Sequence, residues 1–147
     1  MIVQTLRPIT ILLVEDALSD AHLIVREFQR SSFETELHWV ETGEAAMQFL
    51  HQQGNHRNAK RPDLILLDLN LPGLNGQEVL EQVKQHPDLK QIPIVILSTS
   101  PDPQDIRQSY SLNANTYVTK PVEVHQFVQV VQQIIEFWLA AASLPVH

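Results

Sequence analysis

Four short aliphatic runs in this chain each end on a side chain that can do chemistry. "ITILLV" (9–14) leads into Glu15 and Asp16, and "LILL" leads into Asp68. "IPIVILS" (92–98) closes on Ser98 with Thr99 behind it, and "TYVT" (116–119) leads into Lys120-Pro121. If these four ends share one rim, three carboxylates, a hydroxyl and an ammonium converge there. Crowded carboxylates raise one another's pKa unless a cation sits among them. A ligand set made only of oxygen, without His or Cys, suits a hard ion such as Mg²⁺. The chemistry that this combination supports is the handling of a phosphoryl group beside a magnesium ion.

The elements that would hold these residues alternate along the chain. The first aliphatic run is too short for a helix and reads as a strand buried on both faces. Ala21, Ile24, Val25 and Phe28 then recur at helical spacing, with Ser19 as the expected N-cap. "LHWV" (37–40) is a weaker strand near an edge, and Thr42 caps a short helix through Leu50. A polar loop (51–62) precedes the third strand, which delivers Asp68 to the turn at Pro72-Gly73. A helix over 77–85 buries Val79, Leu80 and Val83. The fourth strand is followed by a helix with Asp102 as N-cap and Pro103 at its first position. The fifth strand, 116–119, precedes a last helix over 123–139. Five strands alternating with five helices predict an α/β fold, a five-stranded doubly wound parallel sheet with helices on both faces. In such sheets the working crevice lies outside the carboxyl ends of the strands, which is where the acids, the hydroxyl and the lysine fall.

Composition narrows the function. At 147 residues the expectation is one domain over 1–147, with its core at about 8–139 and no output domain. Seventeen acidic against ten basic residues, a net charge of −7, argue against a nucleic-acid surface. No apolar run approaches a membrane span, and no secretory signal opens the chain, so a cytoplasmic location is expected. The absence of cysteine excludes disulfides and thiolate metal sites.

Taken together, "VED", "DLNLP" and "TKP" make the chain resemble the receiver domain of two-component response regulators over essentially its whole length. The stretches "RPDLILLDLNLPGLNGQEVL" and "IPIVILSTS", with the ending "FWLAAASLP", are similar to single-domain regulators paired with cyanobacterial phytochromes. The resemblance implies a (βα)5 flavodoxin-like fold of strand order 2-1-3-4-5. It implies that Asp68 is the phosphoacceptor, served by a histidine kinase, possible phytochrome-like kinases included. It also implies that Asp16, Asp68 and the backbone carbonyl of Asn70 hold Mg²⁺, with Glu15 reaching the ion through water. By the same resemblance Lys120 pairs with Asp68 and then with the phosphoryl group, Ser98 and Tyr117 form the switch, and Lys120-Pro121 is cis. The protein would then be a phosphoacceptor and not an enzyme in the ordinary sense. Glu15, where many receivers carry a second Asp, preserves the charge.

Rival readings fit less well. A phosphatase of the haloacid-dehalogenase type wants an acid two residues after its nucleophile, where this chain has Asn70. A flavin-mononucleotide binder wants a phosphate loop after the first strand, where this chain has "EDALSD". A degenerate receiver would lack Asp68, Asp16 or Lys120, and none is missing.

The seven histidines are scattered and read as surface residues, and Trp39 reads as packing. On the last helix, Val124, Phe127, Val128, Val131, Ile134, Ile135 and Trp138 form the stripe expected to face the sheet, with Trp138, near the helix end, expected to be only partly covered. Val130, Phe137 and Ala141 fall together on one flank. With the family's habit of pairing through helix 4, strand 5 and helix 5, that flank predicts a homodimer centred on Val130 and Phe137.

Overall fold

The computed structural model describes residues 7–145. Its strands are β1 (Ile9–Val14), β2 (Thr35–Val40), β3 (Leu64–Leu67), β4 (Ile94–Ser98) and β5 (Thr116–Thr119). Between and after them run α1 (Leu18–Arg30), α2 (Gly43–Leu50), α3 (Gly76–Gln85), α4 (Pro103–Ser111) and α5 (Val124–Ile135). The strands are parallel in the order β2-β1-β3-β4-β5, as expected.

Strand alternation divides the aliphatic runs between two cores. Leu12, Val14, Ile65, Leu67, Ile94 and Ile96 face one side, where Phe49, Leu50, Val79 and Leu80 cover them. Ile11, Leu13, Leu66, Val95 and Leu97 face the other, against Ile24 and Phe28 of α1 and Phe127 and Val131 of α5. Buried on both faces, β1, β3 and β4 carry continuous apolar runs. The edge strand β2 is only half-buried over most of its length.

Two glycines let the chain after β3 fold back tightly. Gly73 has φ +67, in the left-handed region that favours glycine, and a Cβ there would meet the Glu44 carboxylate at 2.6 Å. A Cβ on Gly76 would lie 2.2 Å from the Asp68 carbonyl oxygen and 2.5 Å from Leu69 Cα. The first turn of α3 therefore rests directly on the backbone that carries Asp68. Asn75 caps that turn, accepting from the Glu78 N–H while the Glu78 side chain accepts from the Asn75 N–H.

The structure departs from the sequence reading at two helix ends and one peptide bond. The first is α1, whose N-cap is Ala17 and not Ser19, with no side-chain cap. The Glu15 carboxylate accepts from the Ala17 N–H at 3.2 Å, so a buried acid serves the end where a serine hydroxyl was expected. The second is α5, which passes at Glu136 into a π-helical turn through Ala141. The extra residue in that turn rotates the face, so Leu139 is buried while Trp138 is half-buried. Val124, expected on the core stripe, is 60% exposed at the first turn. The third is the Lys120-Pro121 bond: no peptide among the described residues is cis. Trans is the ordinary form of an X-Pro bond, favoured by roughly 0.5–1 kcal/mol.

Candidate functional site

The four strand ends meet as expected. Glu15 is buried at the end of β1, and Asp16 beside it is exposed. Asp68 follows β3 and is 6% exposed, with its N–H donating to the Val14 carbonyl at 3.0 Å. Oxygens of Glu15, Asp16 and Asp68 lie within 4.8 Å of one another. The backbone N–H of Asn70 donates to Asp68 Oδ1 at 3.1 Å, which fixes the carboxylate from the loop side.

Lys120 Nζ anchors the cluster. It donates to Glu15 Oε1 at 2.5 Å, to Asp20 Oδ2 at 3.0 Å and to Asp68 Oδ2 at 3.4 Å, with the lysine 5% exposed. Burial alone would lower its pKa, but the hydrogen bond to Glu15 and the charges of Asp68 and Glu15 leave it raised. Glu15 is pushed up to about 8, first by burial and then by its contact with Asp68, against the opposing pull of Lys120. One ammonium does not neutralise this many acids.

The switch candidates form a second network on β4 and β5. Ser98 is fully buried, and its Oγ accepts from the Ser100 N–H at 3.2 Å. Tyr117 is half-buried, and its hydroxyl donates to the Ser100 carbonyl at 2.8 Å. Ser100 Oγ in turn donates to Asp105 Oδ2, in the first turn of α4, at 2.5 Å. One serine thus joins the Ser98 hydroxyl, the Tyr117 ring and α4. The Tyr117 ring stands part-way in.

Three participants escaped the sequence reading. Asp20 was passed over as one acid of "EDALSD"; its signal was its place in the first turn of the helix after the acidic pair. Trp39, read as packing, donates its indole N–H to the Glu15 carbonyl at 2.8 Å. Asp105, in the first turn of α4, gives no signal in the sequence beyond its favourable charge at a helix start. Several histidines also have ring neighbours: His22 meets Trp39 edge-on, His38 and His56 flank Phe49, and His51 lies beside His86. Of these pairs, His22–Trp39 adjoins the acidic cluster, through the Trp39 bond to the Glu15 carbonyl. On the flank of α5, Phe137 is 56% exposed, whereas Val130 is half-buried against the core.

Over residues 11–132 the chain matches the family described as the response regulator receiver domain. It belongs to that family. It is therefore a signalling protein of the two-component type. It is 47% identical over 138 residues to the response regulator Rcp1 of Synechocystis sp., covering 94% of each chain. The Mn²⁺-bound form of Rcp1 superposes with a TM-score of 0.92, covering 95% of this chain and 100% of that one. The phosphorylated cyanobacterial phytochrome response regulator RcpA has the same TM-score, coverage and 47% identity. Among the described residues, no helix is long and apolar enough to cross a membrane.

Proposed function

We propose that Asp68 accepts a phosphoryl group from the phosphohistidine of a histidine kinase, at a site that holds Mg²⁺. The observation that carries this reading is a nearly buried carboxylate at the sheet rim, 3.4 Å from a buried ammonium and within 4.8 Å of two further acids. In the transfer, an Asp68 carboxylate oxygen attacks phosphorus, the P–N bond breaks, and the imidazole leaves as the neutral ring. Lys120 moves from pairing with Asp68 to pairing with a phosphoryl oxygen.

The donor set fits the ion. Hard carboxylate oxygens converge without His or Cys, and one ammonium, Lys120, is shared among Glu15, Asp20 and Asp68. Asp16, Asp68 and the Asn70 carbonyl would hold Mg²⁺, with Glu15 acting through water. When bound, the ion supplies charge neutralisation on the phosphoryl oxygens.

An apolar rim suits a protein donor: Val122 and Val124 line the cleft beside Lys120 and are exposed, at 103% and 60%. Identity with Rcp1, and the name of RcpA, favour a phytochrome-type kinase in the cytoplasm as that donor. Signalling would begin when Ser98 turns its hydroxyl to the phosphoryl group. Ser100 N–H then loses its acceptor, and the Ser100 carbonyl carries Tyr117 with it, altering the face of α4, β5 and α5. The same face would form the homodimer. An apolar groove of about 340 Å³ there runs between edge strand β5 and the α5 end, lined by Val118, Val130, Phe137 and Trp138 among others. Incubation with a phosphorylated histidine kinase tests the central reading. Label should pass to the wild type and not to Asp68→Asn; equal labelling of both would refute it.

A further inference from the structure

Asp20 is the acid that this reading leaves without a task. It stands apart from the three that converge for the metal, yet its Oδ2 lies 3.0 Å from Lys120 Nζ, closer than Asp68 does. Its side chain is 27% exposed, whereas those of Lys120, Glu15 and Asp68 are nearly covered. It also lines a cleft of about 330 Å³ with Thr99, Lys120, Pro121 and Val122, and Lys120 joins that wall to Asp68 at 3.4 Å. A carboxylate in that wall faces a donor that reaches Asp68 through the cleft.

The Lys120 contact does not by itself account for Asp20. The ammonium already has Glu15 and Asp68 as buried partners. A third acid adds negative charge to a site that receives a negatively charged group. That arrangement opposes a donor whose departing group gains negative charge and favours one whose ring is cationic before the bond breaks.

We propose that Asp20 is a specificity-determining residue, selecting, over an acyl phosphate, a phosphoryl donor whose imidazole ring is protonated. The proposal rests on the phosphoacceptor reading of Asp68. With a phosphoimidazole protonated on its second nitrogen, the P–N bond breaks, the electron pair returns to the ring, and neutral imidazole departs as Asp68 bonds to phosphorus. Asp20 attracts the cationic ring on approach and through the transition state. With acetyl phosphate, the P–O bond breaks and negative charge grows on the departing acetate, which Asp20 repels. A single charge this close, partly screened by water, shifts each rate by roughly threefold to tenfold, in opposite directions. Release of Lys120 from Asp20 affects both donors alike and cancels in their ratio.

The test measures second-order phosphorylation rates of the full chain with monophosphoimidazole and with acetyl phosphate, at saturating Mg²⁺ and constant ionic strength. In Asp20→Asn, the rate ratio of phosphoimidazole to acetyl phosphate should fall roughly tenfold or more. Asp20→Glu should restore most of it, and added salt should lower the wild-type ratio toward that of the Asn variant. A ratio unchanged in Asp20→Asn, with both rates moving by one common factor, overturns the proposal and leaves Asp20 as a Lys120 anchor. Wild-type protein that takes label from neither donor overturns the phosphoacceptor reading itself, and this proposal with it.

Discussion

Replacing Lys120 by methionine removes the ammonium while keeping a side chain of similar length. Three carboxylate contacts are lost, at 2.5, 3.0 and 3.4 Å, and two of the three acids are nearly buried. Each contact is worth several kcal/mol of Coulomb attraction at the effective dielectric of a protein, but most of that offsets the desolvation of the lysine. What remains is the cost of leaving Glu15 and Asp68 without their cation. Removing one partner of a buried pair costs about 3–5 kcal/mol. Glu15 can relieve part of this by holding its proton, so the lower end applies near neutral pH. For a chain of this size that corresponds to a fall in Tm of roughly 10 °C. Thermal and urea unfolding in EDTA would measure it. Mg²⁺ replaces the missing charge, so the variant should gain more stability from the ion than the wild type does. A Lys120→Met protein as stable as wild type in EDTA, or no more responsive to Mg²⁺, would refute the view that Lys120 neutralises the cluster.

Three other outcomes are expected. Gly76→Ala should destabilise the fold by several kcal/mol, because its Cβ would meet backbone atoms of Asp68 and Leu69; denaturant unfolding measures this, and Mg²⁺ affinity should drop with it. Glu123 accepts from the His125 and Gln126 N–H groups at the start of α5, and these bonds lower its pKa. Its stabilisation is therefore present above the ordinary carboxyl value of 4.5 and is lost as pH falls through the lower folded value; the Tm gap between wild type and Glu123→Ala should close on acidification. Phe137→Glu should sediment as a monomer at tens of micromolar where the wild type sediments as a dimer; two identical monomeric profiles would end the dimer proposal.

The strands were legible because β1, β3 and β4 are buried on both faces, which forces continuous aliphatic runs that few other elements require. Their order and the convergence at one rim then followed from the family resemblance and the general rule for open sheets. What stayed hidden depended on atoms brought together from distant positions. The start of α1 was misplaced because its donor at Ala17 is met by Glu15, a strand-end acid, while Ser19 offered the more familiar local signal. The end of α5 was misplaced because a regular period of 3.6 residues cannot anticipate a π turn, so Leu139, off the expected stripe, is buried, while Trp138 is half-buried as its place near the helix end implied. Asp20 and Trp39 were missed for a related reason. Each acts through Lys120 or the Glu15 carbonyl, and neither contact leaves a spacing pattern along the chain.

The central claim is that Asp68 is the nucleophile in a magnesium-dependent phosphoryl transfer. Intact-mass measurement after incubation with acetyl phosphate tests it most directly, comparing wild type and Asp68→Asn with Mg²⁺ and with EDTA. The account predicts that one phosphoryl group is added to the wild type in Mg²⁺, with little or none in EDTA and none on the variant. Stoichiometric addition to Asp68→Asn, or equal labelling of the wild type in EDTA, would contradict it.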